Sequence, residues 1–240
     1  MRCLFISDLH LDEQRPDITR AFCRFLQDDA SQANALYILG DFFESWLGDD
    51  DSSPLIEQVK TALLELSNTG CQVYFMQGNR DFLVGDAFCQ AVSATRLDDP
   101  CVIDLLGEPT LLMHGDSLCT ADAEYMQFRA MARSPEWQAQ VLSKSLSERR
   151  ALAKQLRAAS SEANSNKAED IMDVTPSEVE RIMTQHHCQR LIHGHTHRPA
   201  RHAFTLNNKP AERIVLGDWH RQGWVLDCRD SEIVLRAFDM

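Results

Sequence analysis

Five short motifs in this sequence carry side chains that bind metal ions, and each follows a short apolar run. They are DLH at 8–10, GD at 40–41, GN at 78–79, HGD at 114–116 and HGHTH at 193–197. Carboxylate, amide and imidazole groups together favour Mn²⁺, Fe²⁺ or Zn²⁺ over Ca²⁺. No cysteine is among the candidate ligands, which argues against a softer ion. Their joint occurrence in one compact chain predicts a two-metal site. The candidate ligands are Asp8, His10, Asp41, Asn79, His114, His195 and His197.

The spacing within the motifs indicates how these ligands would share ions. Along an extended chain, alternation places Asp8 and His10 on the same side, where both can bind one ion. Gly40 allows a sharp turn, after which the carboxylate of Asp41 can bridge two ions. The three imidazoles of HGHTH cannot all face an apolar core, so at least two must meet polar groups. Considered alone, Asn79 is also typical of a turn residue. The histidine run, considered alone, is also typical of a solvated cluster.

Apolar runs of strand length precede most of these motifs and alternate with helical patterns in the first part of the chain. A helix that begins at Pro16 and a second at 55–66 each have one apolar face. The alternation predicts an α/β fold with the chemistry at strand ends. The predicted strands are 3–6, 36–39, 73–76, 102–106, 110–113, 191–193, 214–216 and 224–226.

Between residues 121 and 167 the strand-like runs disappear, and a polar composition rich in Ala, Ser, Arg and Gln replaces them. We interpret 121–167 as a helical insertion that caps a core formed by 1–120 and 168–240. A merely solvated helical hairpin is the alternative. Ser134-Pro135 is predicted to begin a second helix, and 160–166 is predicted to be a turn that closes the insertion.

The overall composition limits the partners. Lys and Arg number 24 against 36 Asp and Glu, a net charge of −12, which argues against a nucleic-acid partner. The eight cysteines are scattered without a C-x-x-C pair, so we expect buried thiols. The sequence has no signal-peptide pattern, and no apolar stretch approaches the ~18 residues that span a bilayer, so we expect a cytoplasmic location.

The order D-x-H, GD, GN, H and GHxH resembles that of the calcineurin-like metallophosphoesterase superfamily. Longer blocks over nearly the whole chain resemble the branch that cleaves the pyrophosphate of UDP-2,3-diacylglucosamine in lipid A synthesis. These blocks are DLHL, ILGDFFESWLGDDD, GNRDFL, LMHGDSLCT, ANSNKAEDIMDV and HGHTHRPA. The resemblance implies an α/β four-layer sandwich of two mixed β-sheets flanked by helices, with the metals at loops on one edge.

The resemblance also implies a division of the ligands between two ions. The first ion would take Asp8, His10, Asp41 and His197, and the second Asp41, Asn79, His114 and His195. We expect two Mn²⁺ ions, with Mg²⁺, Fe²⁺ and Zn²⁺ as alternatives. Water activated by the ions would attack the α-phosphorus of UDP-2,3-diacylglucosamine. The products would be UMP and 2,3-diacylglucosamine 1-phosphate, also called lipid X.

Several substrate contacts implied by the resemblance lie near the two ends of the insertion. We expect catalytic roles for Asn79, Arg80 and His195. Without the resemblance, Asp122 is typical of a helix N-cap and Lys167 of a solvated charge. The predicted substrate-binding residues are Asn79, Arg80, Asp122, Ser160, Asn164, Lys167 and His195.

Arg80 is a departure from the many superfamily members that carry GNHD. Their histidine can protonate a poor alkoxide leaving group, whereas an arginine cannot give up its proton near neutral pH. It can hold a phosphate through two hydrogen bonds and stabilise negative charge. Because a phosphate monoester departs without a general acid, Arg80 suggests a pyrophosphate substrate. A structural salt bridge is the alternative.

Tyr125, Phe128 and Met131 give the first helix of the insertion an apolar face. That face could line a groove for acyl chains or pack against the core. The segment 134–150 is polar, so we expect a peripheral contact with the cytoplasmic face of the inner membrane and no membrane insertion. We also expect a monomer. The large apolar residues of this segment are Trp137, Val141, Leu142 and Leu146.

Two further features leave alternatives open. The acidic run 49–51 is typical of a solvated loop, although it could form a third metal site. Arg198 could close the site or contact the uridine phosphate, or Pro199 could simply end the turn.

Three other functions compete with the lipid pyrophosphatase. A dinucleoside polyphosphate or general phosphoprotein phosphatase would share the metals, but Arg80 and the insertion fit it poorly. A nuclease would need a basic channel, which the overall acidity argues against. A non-catalytic scaffold would have lost its ligands, and all seven candidates are present.

Overall fold

Eleven strands in two sheets, seven α-helices and two short 3-10 helices form the regular structure in the part of the chain that the computed structural model describes. The described residues are 1–165, 173–230 and 232–240, and for 161–165 the description covers the backbone alone. The strands are β1 (Arg2–Ile6), β2 (Ala35–Leu39), β3 (Gln72–Met76), β4 (Ala94–Leu97), β5 (Cys101–Leu105), β6 (Glu108–Met113), β7 (Arg190–His193), β8 (Ala200–Leu206), β9 (Lys209–Val215), β10 (Gly223–Arg229) and β11 (Glu232–Phe238). The helices are α1 (Pro16–Asp28), α2 (Pro54–Asn68), α3 (Asp86–Ala91), α4 (Ala123–Ala132), α5 (Pro135–Leu142), α6 (Leu146–Ser165) and α7 (Pro176–Gln185).

Both sheets are mixed. In the six-stranded sheet, ordered β11-β10-β1-β2-β3-β4, strands β1 to β4 are parallel, whereas β10 and β11 pair antiparallel. In the five-stranded sheet, ordered β5-β6-β7-β9-β8, the three central strands are parallel and both edge strands are antiparallel. Neighbouring parallel strands end at the same edge of a sheet, so each sheet collects several carboxyl ends at one edge.

The alternation of side chains along β1 shows how the layers pack. Leu4 and Ile6 join α1 and α2 in one apolar cluster, whereas Cys3 and Phe5 meet residues of the second sheet in another. A third cluster packs β6 and β7 against α7 on the far side of the second sheet. The order helix, sheet, sheet, helix confirms the predicted four-layer sandwich.

Local sequence explains the two long helices that cover the first sheet. Pro16 occupies the first turn of α1, where its fixed φ suits the helix and its missing N–H is not needed. At the start of α2, the hydroxyl of Ser53 accepts a hydrogen bond from the backbone N–H of Ile56 at 3.3 Å. Both helices lie where the apolar patterns predicted them. Their buried faces consist mainly of Ile18, Phe22, Phe25, Leu26, Ile56, Val59, Leu63 and Leu66.

The apolar runs predicted eight strands, all of which are present with ends shifted by a few residues, and missed three others. The missed strands are β4, β8 and β11, and each lies at the edge of its sheet. An edge strand exposes much of its surface and therefore carries polar residues in place of a continuous apolar run. The sequence ARHAFTL of β8 is an example.

Helices α4, α5 and α6 form the described part of the predicted insertion. Ser134 caps α5 by accepting a hydrogen bond from the N–H of Trp137 at 3.3 Å, with Pro135 in the first turn, as predicted. The predicted turn at 160–166 is wrong, because α6 continues to Ser165. One alanine and one glutamate among the serines and asparagines of 160–165 keep the helix propensity of this stretch adequate. Among the described residues, no helix has the length and apolar character needed to cross a membrane.

Phe75→Ala should lower the free energy of unfolding by about 3–5 kcal/mol, because it leaves a cavity in the first sheet's core. The side chain of Phe75 is 1% exposed, and its ring centroid lies 6.0 Å from that of Phe42 and 5.7 Å from that of Phe88. Urea unfolding followed by tryptophan fluorescence would measure the loss. Leu64→Ala, at a side chain that is 38% exposed on α2, is the control and should cost about 0.5 kcal/mol or less. Equal losses in the two variants would contradict this packing.

Candidate metal centre

The seven candidate ligands lie in loops that follow the carboxyl ends of parallel strands. Asp8 and His10 follow β1, Asp41 follows β2 and Asn79 follows β3 in the first sheet. In the second sheet, His114 follows β6, and the last two histidines follow β7. Because the two sheets pack face to face, these loops meet at one edge of the sandwich.

The first group of ligands consists of Asp8, His10 and His197. The Nε2 atom of His197 lies 3.3 Å from Oδ1 of Asp8 and 3.2 Å from Nε2 of His10. One ligand atom from each residue falls within 4.8 Å of the other two, which is close enough for all three to bind one ion.

The second group consists of Asp41, His114 and His195, with Asn79 between the two imidazoles. Oδ1 of Asn79 lies 2.9 Å from Nε2 of His114 and 2.8 Å from Nδ1 of His195. Burial and the neighbouring His114 lower the pKa of His195 to about 4, so its imidazole is neutral and able to act as a ligand.

Asp41 stands between the two groups. Its Oδ2 atom is 4.0 Å from Nε2 of His10 in the first group, and its Oδ1 atom is 3.6 Å from Nε2 of His114 in the second. The two oxygens of one carboxylate therefore face different groups, which is the geometry that a bridging ligand requires. The backbone N–H of Arg80 donates to Oδ1 at 2.8 Å and fixes the carboxylate.

Five of the seven candidates have left-handed backbone conformations, with φ between 49° and 68°. Such conformations are uncommon for residues other than glycine and store strain that the surrounding structure must offset. Asp8 and His10 approach each other through these turns, so their convergence does not come from alternation along an extended chain as the sequence analysis assumed. The five residues are Asp8, His10, Asp41, His195 and His197.

Close approach of the loops depends on glycine. A Cβ atom at Gly194 would lie 2.3 Å from Oδ2 of Asp8 and 2.4 Å from Oγ of Ser7. The missing side chain lets the N–H of His195 donate to Oδ2 of Asp8 at 2.9 Å, which ties the loop after β7 to the loop after β1. A larger residue would separate the two loops.

Asp81 connects two other ligand loops, although sequence analysis gave it no role. Its Oδ1 atom accepts from the N–H of Gly78 at 2.7 Å, and its Oδ2 atom accepts from the N–H of Phe42 at 2.8 Å. Burial and the charge of Asp41 raise the pKa of Asp81 to about 6. The position of Asp81 in the GNRD motif was the available signal.

The charges at the centre fit divalent cations. Asp8 and Asp41 are 0% and 2% exposed, and within the described residues their ion pairs are with imidazoles. Burial would raise the pKa of Asp8, but the hydrogen bond and charge of His197 hold it well below its usual range. Burial would lower the pKa of His114, but Asp41 and other acidic neighbours raise it to about 9. A protonated imidazole among buried carboxylates marks a place for a cation.

His114 is oriented as a metal ligand would be. Its Nδ1 atom lies 2.9 Å from the carbonyl oxygen of Leu39, and a carbonyl can only accept, so Nδ1 carries the proton. When the ring is neutral, Nε2 keeps its lone pair for an ion.

Of the three histidines of HGHTH, His193 is buried away from the site, with Nδ1 donating to the carbonyl of Gly194 at 2.8 Å. The other two meet polar groups at the site, as expected.

Asp116 anchors the insertion beneath the centre and was also missed by sequence analysis. Its Oδ2 atom accepts from the hydroxyl of Tyr125 at 2.7 Å and from Nε of Arg129 at 2.8 Å. Burial would raise the pKa of Asp116, but His114 and the arginines hold it well below its usual range. The ring of Tyr125 stacks on His195 with centroids 5.9 Å apart, so α4 contacts the second ligand group directly.

An apolar groove of about 280 Å³ runs from the centre between the core and α4, α5 and α6. Asn79 and Arg80 form the end of the groove next to the ligands. Most of its wall is hydrocarbon and aromatic, which suits an acyl chain. The apolar wall includes Trp46, Phe82, Phe128, Trp137, Val141, Leu152 and Leu156.

The predicted substrate-binding residues divide into three sets. Asn79, Arg80, Asp122 and Ser160 line the groove, and His195 lies in the second ligand group. Asp122 also caps α4, accepting from the N–H of Tyr125 at 3.1 Å, as its sequence position suggested. The side chain of Asn164 and the whole of Lys167 lie outside the described residues.

The apolar face of α4 is only partly turned toward the groove. Tyr125 and Phe128 line it, whereas Met131 is 46% exposed and does not. Residues three apart on a helix drift by about a sixth of a turn at each step, so the third member of this series leaves the face.

Arg80 has no carboxylate within salt-bridge distance among the described residues, and its buried Nε atom makes no hydrogen bond there. The alternative of a structural salt bridge is therefore not supported in this part of the chain. Arg198, in contrast, donates to Asp173 at 2.9 Å beside a separate cleft.

All eight cysteines are free; six are buried as predicted, and Cys23 and Cys101 are half-buried.

The acidic run 49–51 has a structural role that neither interpretation of the sequence anticipated. Asp49 accepts from the N–H groups of Gly85 and Phe88 at 2.9 and 3.0 Å and so caps α3. Asp50 receives two hydrogen bonds of 2.6 Å from Arg149, which is 5% exposed on α6. Sequence could not indicate this pair because its members lie far apart along the chain.

Paired ligand groups at the strand ends of a four-layer α/β sandwich are the arrangement of a metal-dependent phosphoesterase. Residues 1–199 match the sequence model of the calcineurin-like phosphoesterase family, and the chain belongs to this family.

Similar proteins extend over nearly the whole chain. The UDP-2,3-diacylglucosamine hydrolase of Cellvibrio japonicus is 55% identical over 240 residues, which is 100% of both chains. That of Chromohalobacter salexigens is 59% identical over 232 residues, or 96% of this chain and 94% of the relative. Among solved structures, an archaeal phosphodiesterase has the same fold, with a TM-score of 0.50 over 100% of both chains at 12% identity.

Gly194→Ala should weaken the binding of a divalent cation, with Mn²⁺ as the probe, by roughly 10–100-fold, because the new methyl group displaces Asp8. Isothermal titration calorimetry would measure the binding. The control is Gly70→Ala, where an added Cβ meets nothing within 4 Å and φ is +96°. That substitution should cost about 1 kcal/mol of stability through backbone strain and leave Mn²⁺ binding unchanged. Wild-type affinity in the Gly194 variant would contradict the proposed contact between loops.

Proposed function

We propose that this protein hydrolyses the pyrophosphate bond of UDP-2,3-diacylglucosamine and releases UMP and 2,3-diacylglucosamine 1-phosphate. Relatives more than half identical to it over nearly their full length are named as hydrolases of this substrate. The observation that carries the proposal is the apolar groove that opens at Asn79 and Arg80 beside the metal centre. A substrate with two acyl chains and a pyrophosphate needs both features together.

The proposed site holds two divalent ions. Mn²⁺ suits the mixed nitrogen and oxygen donors, although Mg²⁺, Fe²⁺ and Zn²⁺ are alternatives. Bound ions would acidify water and stabilise charge on the phosphoryl oxygens. One ion would be held by Asp8, His10, Asp41 and His197, and the other by Asp41, Asn79, His114 and His195.

Arg80 is proposed to bind the phosphate that faces the groove. Its guanidinium has an N–H without a partner in the described structure, and it lies between the metal centre and the apolar wall. Hydrogen bonds from it would stabilise negative charge as the phosphorus–oxygen bond breaks. The leaving sugar phosphate is a weak base, so the reaction needs no proton donor at this position. His195 and Asn79 would complete the binding of the reacting phosphate.

The insertion is proposed to be the cap that binds the lipid. Phe128 and Trp137 would contact the acyl chains, while Asp122 and Ser160 would bond the sugar. Asn164 and Lys167 join this set on the resemblance alone. We further propose that the protein works as a monomer with a peripheral contact at the cytoplasmic face of the inner membrane, because a diacylated substrate resides in a bilayer.

The competing functions fit these observations less well. A nuclease would need a basic channel, and the chain carries a net charge of −12. A general phosphatase would have no use for an apolar groove that ends at its ligands. A scaffold that had lost its chemistry would not preserve two converging ligand groups.

Release of UMP from UDP-2,3-diacylglucosamine with Mn²⁺ is the direct test, with bis(p-nitrophenyl) phosphate as a generic substrate. Wild-type protein should cleave the lipid nucleotide far better than the generic diester. Asp41→Asn should lower both activities by about 10²-fold or more, because it removes the bridging carboxylate. Asp28→Asn, on the exposed end of α1, is the control and should lower neither activity. Cleavage of the diester alone would end the substrate proposal and leave the metal centre intact.

Arg80→His tests the leaving-group argument. A histidine at this position can protonate an alkoxide, so activity on simple phosphomonoesters should rise relative to activity on a nucleotide diphosphate sugar. Arg80→Lys, which keeps the charge and holds its proton much more tightly than a histidine does, should change this ratio far less. The measured quantity is the ratio of kcat/KM values for an alkyl phosphate such as glycerol 2-phosphate, whose leaving group is an alkoxide, and the lipid nucleotide. An unchanged ratio in both variants would refute the argument.

A further inference from the structure

Glu44 lies between a metal-ligand group and the insertion, and no role has yet been given to it. Its Oε2 atom is 3.1 Å from Nδ1 of His10, and its Oε1 atom forms an ion pair with Arg157 of α6. The two oxygens of one carboxylate therefore contact two different parts of the molecule. Glu44 is buried to about the same extent as His10, with about a fifth of each side chain exposed.

The contact with His10 involves the imidazole nitrogen that points away from the other ligands. Nε2 of His10 faces His197 and Asp41, whereas Nδ1 faces Glu44. Nδ1 is buried and has no other partner among the described residues. The 3.1 Å separation places the Glu44 carboxylate within ion-pair distance of Nδ1, without the geometry of a hydrogen bond. A carboxylate at this nitrogen favours the proton on Nδ1, leaves Nε2 for an ion and raises the basicity of the ring.

Backbone pairing holds Glu44 beside His10. The loops after β1 and β2 remain paired beyond the ends of their strands. The N–H of His10 donates to the carbonyl of Asp41 at 3.0 Å, and the N–H of Glu44 donates to the carbonyl of Leu11 at 3.1 Å. Leu11 and Phe43 form an isolated parallel bridge between these hydrogen bonds. The register of the two loops is therefore fixed, and the backbone of Glu44 stays beside the loop that carries His10.

The contact with Arg157 belongs to a set of three ion pairs that joins α6 to the segment 44–51. Arg149 binds Asp50, and Nη2 of Arg150 lies 3.6 Å from Oδ1 of Asp51. Glu44 is the member of this set that also contacts a candidate metal ligand. Because Glu44, Arg149 and Arg157 also line the groove, the same contacts shape the space where the lipid is proposed to bind.

We propose that Glu44 is a positioning residue that couples metal binding at His10 to the docking of α6 over the groove. An ion held by His10 would increase the positive charge at Nδ1, and the Glu44 carboxylate beside it would then be held in place, where Arg157 binds it. The coupling is reciprocal, because whatever orders Glu44 from the α6 side must favour the metal-binding orientation of His10 by the same free energy. This inference rests on the proposed metal centre.

The test measures Mn²⁺ binding and the hydrogen exchange of α6 in the same variants. Glu44→Ala should weaken one of two Mn²⁺ sites by roughly 10–100-fold and leave the other unchanged, because His114 and His195 do not contact Glu44. Glu44→Gln keeps an acceptor without the charge and should fall between wild type and the alanine variant. General damage to the fold would weaken both sites, so the selective loss and the graded order identify positioning.

Hydrogen exchange tests the other half of the coupling. In wild type, Mn²⁺ should slow the exchange of amides in residues 146–160. Arg157→Gln keeps the contact between Glu44 and His10, so it should still bind two ions but lose this Mn²⁺-dependent protection. Glu57→Ala removes an exposed carboxylate that pairs with Lys60 on α2 and should behave as wild type in both measurements.

The outcomes separate this inference from the function on which it rests. If wild type binds no Mn²⁺, the proposed metal centre fails. If wild type binds two ions and Glu44→Ala binds them equally well, the centre stands and the role of Glu44 is refuted. If both sites weaken equally in Glu44→Ala and Glu44→Gln, the effect is structural and the coupling is also refuted.

Discussion

The burial of two carboxylates at the ends of β1 and β2 is the constraint on which the rest of the structure depends. Moving an ionised carboxylate out of water costs several kcal/mol unless opposite charge and hydrogen bonds replace the lost water. Asp8 and Asp41 are almost fully buried, and imidazoles and backbone N–H groups surround them. The remaining elements can be understood by how they supply these partners.

The groups that surround the two carboxylates come from loops of both sheets. The carboxyl ends of the parallel strands in the two sheets must therefore lie at the same edge of the sandwich. Parallel order at the centre of each sheet directs the ligand loops to that edge. Left-handed turns then aim the side chains inward, at a conformational cost of about 1–3 kcal/mol each. The structure offsets that cost with tight contacts between loops, such as the one that Gly194 permits. A loop that lost its partner would relax out of the ligand geometry.

Much of this arrangement could be predicted from the sequence, because apolar runs indicate buried strands and the ligand motifs indicate where those strands end. Apolar runs marked the central strands, whose both faces are buried, and the motifs marked their ends. Of the four edge strands in the described sheets, β5 was predicted from its apolar run, whereas β4, β8 and β11 were missed, because an edge in contact with solvent does not require such a run. The direction of Asp8 and His10 was also beyond sequence reasoning, because it depends on φ values that only the assembled loops impose.

The supporting contacts were harder to predict than the ligands. Asp81 and Asp116 stood inside recognised motifs, but their partners are backbone groups and residues of α4 that no local pattern reveals. The acidic run 49–51 was ambiguous for the same reason, since its meaning lies in Arg149 and the start of α3. A charged residue that pairs with a distant segment is visible in the sequence, but the sequence does not indicate which residue is its partner.

The groove has a consequence for the order in which products leave. Under the proposed function, UMP would leave as a small anion that water solvates well, whereas the second product would keep its acyl chains in the apolar groove of about 280 Å³ beside Phe128 and Trp137. Returning a hydrocarbon chain to water costs about 0.8 kcal/mol for each methylene group. The lipid would therefore dissociate slowly into solution and readily into another apolar phase. Under the proposed function, such an enzyme would pass its lipid product most readily to an apolar acceptor, and its turnover would depend on how often the mouth of the groove meets one.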